Sequence, residues 1–372
     1  MRYVIPDYYK EFQCTADGCE DTCCAGWQIM IDKRSLGKYR RVHGEFGRRL
    51  RRSVDWKEGC FHQSKENRCA FLNQENLCDL YTELGKKNLC KTCKNYPRHI
   101  EEFENVREIT LSVSCPEVAK ILMNRNTPVK FLAYEKEGEE EYEDFDPFLY
   151  SILADGREVM LRIMQNREIG LDERMILVLG LARDMQRRVN RGELFSCEEL
   201  FERYESDEAK AFAERKGNDI TIGKKYRFSR KMFRALFRLE RLRSDWEPYL
   251  IETEALLFSK GEDEYEKMHR EFEGWLQSSS FSWEIKAEQI MVYFVFTYFC
   301  GAVYDGHISA KAEVSAISVF LIYEMLLARW IKNGKVLDHE DAAWIVYRYS
   351  REVEHSDENL KRVEKYFSCW KQ

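Results

Sequence analysis

Ten of the thirteen cysteines in this 372-residue chain fall between Cys14 and Cys115. The first cluster reads Cys14-x4-Cys19-x3-Cys23-Cys24-Ala25-Gly26-Trp27, with a glycine where the chain can turn sharply. Cys60, Cys69 and Cys78 follow singly, then Cys90-x2-Cys93-x3-Pro97-Arg98, and Ser114-Cys115-Pro116 closes the set. A Cys-x2-Cys pair lets two thiolates bind one tetrahedral zinc or one iron–sulfur cluster. Such a centre takes about four thiolates. Ten exceed that, so the surplus goes to packing, to the surroundings of the ligands or to a second metal. Adjacent Cys23 and Cys24 can face one metal only where the backbone bends. Disulfides are the poorer reading in a reducing compartment, and an odd number of cysteines leaves at least one unpaired.

Other side chains near the cysteines invite chemistry with a cationic group. Glu20, Asp21 and Trp27 flank the first cluster, and a tryptophan or tyrosine face attracts an ammonium or sulfonium. The plainer alternative is solvated acids and a core tryptophan. Arg98, in Tyr96-Pro97-Arg98-His99, offers a planar fork for a carboxylate, or for a structural ion pair. No His-x3-His spacing occurs, so His99 and the other histidines read as surface residues. The stretch 33–52 holds nine Lys or Arg against one Glu, which reads as a solvated helix face or as a dock for an acidic protein. Cys197, Cys300 and Cys369 stand alone in helical patterns and read as small buried hydrophobes.

These residues need a frame. The acidic run 135–144 repels itself and predicts an exposed linker, dividing a cysteine-rich domain over 1–135 from a second domain over 145–372. Beyond it, apolar residues recur at helical spacing over 146–167, 172–191, 196–216, 227–259, 262–277, 283–304, 309–332, 338–355 and 357–369. Asp338 and Asp357 are expected as N-caps, and Gly334 as a stop. The first part alternates at period two only over 27–31 and 109–113, which predicts short strands among loops. The predicted class is mainly α: a small, mixed, loop-rich metal-binding domain followed by an all-α domain.

Net charge of −6 argues against a general nucleic-acid binder. Pro6 and Asp7 interrupt any secretory h-region, so a cytoplasmic protein is expected. Of two apolar runs, 290–303 is too short to span a bilayer and 315–331 carries Glu324 and Arg329, so both read as core helices and no membrane partner is expected.

The ordered set Phe12-x-Cys14, Cys19-x3-Cys23-Cys24-x-Gly26-Trp27, Cys69-x-Phe71-Leu72, Leu77-Cys78-x-Leu80-Tyr81, Leu89-Cys90-x2-Cys93-x2-Tyr96-Pro97-Arg98 and Leu111-Ser112-x-Ser114-Cys115-Pro116-Glu117 resembles the flagellin lysine-N-methylase family. The cysteine core is also similar to a broader group of zinc- or iron-chelating domains. The resemblance runs from Phe12 to Glu117 and adds no sharp motif in the helical half. It implies S-adenosylmethionine-dependent N-methylation of surface lysines on flagellin, with a [4Fe-4S] cluster taking part. The family's cysteines map onto Cys19, Cys23, Cys24, Cys69, Cys78, Cys90, Cys93 and Cys115, with Cys14 as a further position and Cys60 matching poorly.

The residues themselves bound that implication. No Gly-x-Gly turn with a following acid appears, so a Rossmann-like cofactor site is not expected. Cys19-x3-Cys23 begins the Cys-x3-Cys-x2-Cys pattern of radical enzymes, and Gly26 breaks it. A lysine substrate, with a pKa of about 10.4 in water, must be desolvated or deprotonated before it can attack a methyl group. The expected activity is a protein-lysine methyltransferase. Two rivals stay open: an iron or zinc carrier or sensor without methyl chemistry, and a zinc-stabilised interaction module.

Overall fold

The computed structural model describes residues 1–138, 142 and 144–367. Cys369 and most of the acid core of the 135–144 run lie outside the described residues; Lys136–Gly138, Tyr142 and Asp144 are exposed.

The first third carries α1 (Lys33–Arg40), α2 (Gly44–Ser53), α3 (Asp79–Leu84), α4 (Lys91–Asn95) and α5 (Pro116–Asn124). Its strands are β1 (Arg2–Pro6), β2 (Val54–Asp55), β3 (Cys60–Phe61), β4 (Arg98–Phe103), β5 (Val106–Leu111) and β6 (Phe131–Glu135). Strands β2 and β3 pair with each other; the other four form one sheet in the order β4-β5-β1-β6. Strand β1 runs parallel to β5 and antiparallel to β6, while β4 and β5 make a hairpin. The alternation at 109–113 thus marks the end of a real strand. That at 27–31 does not: it is a loop touched by a single bridge from Met30 to Cys60.

The remainder is helical: α6 (Pro147–Met164), α7 (Leu171–Asn190), α8 (Glu198–Glu205), α9 (Asp207–Asn218), α10 (Ile222–Leu236), α11 (Trp246–Phe258), α12 (Glu262–Ser278), α13 (Trp283–Tyr298), α14 (Ala302–Asp305), α15 (Ile308–Lys332), α16 (His339–Glu354) and α17 (Asp357–Phe367). The protein is mainly α, with its strands near the N-terminus, as composition and pattern predict.

Three expected helices are each broken, and side chains account for two of the breaks. Ser206 accepts from the Ala209 N–H and starts a new helix within 196–216. Between α10 and α11, Asn359 takes the Glu240 N–H at 2.7 Å and Glu352 takes the Leu242 N–H at 2.9 Å. Those acceptors satisfy backbone groups that a continuous helix would otherwise use, leaving 237–245 free to form a loop. The expected helix over 283–304 passes through a 3-10 turn at Phe299–Gly301 into α14. Asp338 caps α16, accepting from Asp341. Asp357 instead lies in the first turn of α17, and Ser356 takes the Asn359 N–H at 3.2 Å.

Helix α15 is long and apolar enough to cross a membrane, yet 78% of its apolar window is buried inside the protein. Its Glu324 accepts from Tyr265 at 2.7 Å and faces His269 at 3.2 Å. The core around it takes in the sheet and α5 as well as the helices: Phe103, Leu111, Val113, Val118 and Leu122 share it with Phe294, Leu321 and Ile345. Each such side chain, fully buried, contributes about 1.5–3 kcal/mol. Phe131 of β6 stacks on Phe296 of α13 at 3.7 Å, and buried Arg157 of α6 grips Glu108 of β5. A second, smaller core holds Ile29, Ile31, Tyr39, Leu50, Phe61, Phe71 and Leu80 with Cys69 and Cys90.

Candidate metal centre

The cysteine loops are held by single bridges rather than sheets. Ala25 bridges Arg68, Gln63 bridges Cys69 and Leu72 bridges Cys78. The Cys69 N–H donates to the Cys24 carbonyl at 2.8 Å, and the Gly26 N–H to Asn67 at 2.9 Å. Gly26 has φ +92°, and a Cβ there would stand 3.2 Å from Cγ of Arg243. Turn and close approach both require glycine.

Cys90 precedes α4, so the Cys-x2-Cys pair wraps one helical turn. Asp32 ties that turn to α1, its carboxylate accepting from the Ser35 N–H at 2.9 Å and the Lys91 N–H at 2.8 Å. Cys115 precedes α5, whose first residue is Pro116.

The thiols converge as pairs. Cys23 hydrogen-bonds Cys24; that bond draws the Cys24 thiol down to about 7 and pushes Cys23, which keeps the shared proton, well up. Cys90 is likewise lowered by its bond with Cys93, and Cys93 is raised by the same bond and by burial. In each pair one thiol is drawn towards the thiolate, the ligating form. Burial pushes Cys69 up to about 12 and Cys115 up to about 11.

The charge on Cys24 is felt by Cys69, Cys78 and Cys93, and that on Cys90 by Cys69. On the other side, Cys14 acts on Cys19 and Cys23, and Cys19 on Cys115. The nine cysteines singled out by sequence therefore form one web with Cys23 and Cys24 at its junction. Cys14 is exposed at its edge, while Cys69, Cys90 and Cys115 are buried. Cys60 stands apart, accepting from Gln28 at 2.9 Å beside Asp55 and Glu58. Cys197 and Cys300 are buried in the helical core.

Asp21 is only 6% exposed, not a solvated acid. Arg243 and Arg351 each reach its Oδ1 at 2.7 Å, and Arg348 lies 3.9 Å from its Oδ2. Arg351 also donates to the carbonyls of Asp21 at 2.6 Å, Thr22 at 3.2 Å and Ser114 at 2.9 Å. A helix near the C-terminus thus clamps the first cysteine loop and the loop before Cys115.

Trp27 is half-buried and donates to the Cys23 carbonyl at 2.8 Å. Its ring lies 4.6 Å from His355 and 5.9 Å from Tyr96. His355 meets Ser114 Oγ at 2.7 Å, and Ser114 meets Ser112 at 2.6 Å. Burial and Arg351 lower His355 to about 3, so its imidazole is neutral. Arg98 lies elsewhere: it donates to the Tyr9 hydroxyl at 2.7 Å and faces the Tyr9 and Phe12 rings. Glu20 is exposed and pairs with Lys120, and His99 pairs with Glu101. The basic stretch forms α1 and α2, where Arg49 pairs with Asp79 at 2.7 Å and Arg40 covers Trp56.

Sequence reading missed Arg243, Arg348, Arg351, His355 and Ser114. The one signal lay in the spacing of 348, 351 and 355, three then four apart, which places them on one helical face.

Residues 157–369 match the family model described as the FliB lysine N-methylase C-terminal domain. The chain belongs to the FliB lysine N-methylase family. It is 30% identical over 128 residues to the flagellar biosynthetic protein FliU of Salmonella muenchen, covering 32% of this chain and 75% of that relative. It is also 30% identical over 128 residues to the lysine-N-methylases of Salmonella typhimurium and Salmonella choleraesuis, again over 32% of this chain. The match spans 32% of the length of each of these two relatives. No solved structure matches this FliB-family chain.

The donor set is sulfur-rich and largely drawn in from water, and Cys24 and Cys90 are lowered towards the ligating thiolate, which suits iron–sulfur ligation. Among the described residues, no three cysteine sulfurs lie within 4.8 Å of one another.

Proposed function

We propose that this protein is an S-adenosylmethionine-dependent protein-lysine N-methyltransferase acting on flagellin, with a [4Fe-4S] cluster held by cysteines of the N-terminal web. The observation that carries the cluster is the convergence of two hydrogen-bonded thiol pairs, Cys23–Cys24 and Cys90–Cys93, with Cys69 and Cys78 beside them. Family membership and the printed names of the Salmonella relatives support the methyl chemistry and a flagellar substrate. When bound, the donor supplies a methyl group on a sulfonium and the cluster supplies ligated iron.

The chain's own residues supply the rest. Arg351 holds the Asp21–Thr22 backbone, so Cys19, Cys23 and Cys24 are fixed before any ligand arrives. The rings of Trp27 and Tyr96 present faces suited to an ammonium or sulfonium cation beside Cys23. Neutral His355 avoids repelling a cationic lysine there, and its bond to Ser114 fixes the ring.

Purified flagellin incubated with S-adenosylmethionine and anaerobically isolated protein tests the reading by mass spectrometry of tryptic lysines. Methylated lysines that disappear with a Cys23→Ser, Cys93→Ser variant support it. A wild-type protein that carries iron yet transfers no methyl group returns the chain to the metal-carrier reading.

A further inference from the structure

Charge is unevenly shared along the chain. Residues 33–94 hold sixteen Lys or Arg against seven Asp or Glu, a net charge of +9, while the other residues sum to −15. Much of the excess sits on α1 and α2, where Arg34, Arg41, Arg48 and Arg52 are exposed and make no ion pair among the described residues. Exposed cations of the helical part are used differently: Arg162 meets Glu205 at 2.9 Å, Arg241 meets Glu247 at 2.6 Å and Lys332 meets Glu252 at 2.7 Å. Like charges one helical turn apart repel, as at Arg34–Lys38 and Arg48–Arg52.

The two helices form one basic surface. Arg40 covers the Trp56 ring at 5.2 Å, Trp56 donates to the Arg51 carbonyl at 3.0 Å, and Arg51 donates back to the Val42 carbonyl at 3.2 Å. That surface is built on the same small core as the cysteine web. Tyr39 donates to the Asn88 carbonyl at 2.9 Å, two residues before Cys90, and Arg49 donates to the Ala70 carbonyl at 2.9 Å, next to Cys69. We propose that this face is the dock for the protein substrate, taking an acidic patch of that protein's surface onto the unpaired arginines. On the function proposed above, on which this inference rests, the substrate is flagellin. A patch of opposite charge relieves the repulsion and steers the encounter to the domain that carries the web. Nucleic acid fits less well: a long polyanion would also meet the acidic remainder of the chain, and neither helix exposes an aromatic ring on which a base could stack. A lipid surface fits less well too, because every apolar side chain of α1 and α2 is buried or half-buried and none is free to insert.

Binding of the full chain, isolated without oxygen, to immobilised flagellin at low and at physiological salt tests this by interferometry. Wild-type affinity is expected to fall as salt rises. A variant carrying Arg34→Glu, Arg41→Glu and Arg48→Glu is expected to bind about tenfold or more weakly at low salt, and Lys at the same three positions to restore binding. Wild-type affinity that salt does not move overturns the dock even where the charge-reversed variant fails to fold. A folded charge-reversed variant that binds flagellin as tightly as wild type overturns the dock while the methylase reading stands. Tighter binding of duplex DNA or of anionic phospholipid vesicles through these arginines, with flagellin binding unchanged in the variant, overturns it in favour of that partner. Arginine-dependent flagellin binding without methyl transfer by the wild type overturns the methylase reading and leaves the dock. Absence of any flagellin binding by the wild type overturns both.

Discussion

Arg351 and Asp21 meet at 2.7 Å with each side chain only 5% exposed, joining a helix near the C-terminus to the loop that carries Cys19, Cys23 and Cys24. The same guanidinium donates to three carbonyls in two loops, so one residue ties the loop of Cys19, Cys23 and Cys24 to the loop before Cys115. The helical part is therefore a structural component of the candidate metal centre.

Removing that cation leaves buried acceptors unpaired. Arg351→Met is expected to destabilise the protein by about 3–5 kcal/mol, the usual cost of breaking a buried pair from one side. Urea unfolding followed by circular dichroism reads it directly. A loss below about 1 kcal/mol would place the clamp among weak surface pairs.

Gly26→Ala forces a non-glycine residue to φ +92° and sets its Cβ 3.2 Å from Arg243. A loss of about 1–3 kcal/mol is expected from the backbone alone. The same unfolding experiment measures it, and an unchanged midpoint would show that the loop turns another way.

Little of this clamp was legible in the sequence, while the cysteines were. Thiols at short spacing declare their chemistry locally, and helical periodicity declared most of α6 to α17. Asp21 and Arg351 are 330 residues apart, and no local pattern links them. Strand β1 has only five residues and takes its place by parallel pairing with β5, about a hundred positions away. The breaks near 206 and 240 depend on Ser206, Glu352 and Asn359, and the last two act from distant helices. Sequence also cannot show that residues 98–131 share the core of the helices, since that sharing is made of contacts such as Phe131 on Phe296.

Glu352 gives a pH signature. Burial raises its carboxyl to about 7 from an ordinary 4.5, while the acid still accepts from the Leu242 N–H. Between pH 4.5 and 7 the folded state binds more protons than the unfolded state, so this group makes stability fall as pH rises through that window. The full swing is about 3 kcal/mol. Glu352→Gln keeps the acceptor and removes the titration. Relative to wild type, the variant is expected to gain stability steadily from pH 5 to pH 7.5 in parallel urea titrations. A constant difference across that range would mean the carboxyl is not raised.

On the proposed function, removal of the metal held by the web should act locally. The smaller core around Tyr39, Phe61 and Phe71 surrounds Cys69 and Cys90, whereas the large core meets the web only at Cys115 and otherwise rests on aliphatic and aromatic packing. After chelation, hydrogen exchange is expected to rise over 19–93 and to stay slow in α13 and α15. Equal loosening of both regions would contradict two separate cores.

Metal and sulfide analysis of protein purified without oxygen, beside a Cys23→Ser, Cys93→Ser variant, tests the central claim most directly. The account predicts about four irons and four sulfides per chain in the wild type and their loss from the variant. Stoichiometric zinc without sulfide in the wild type would contradict it.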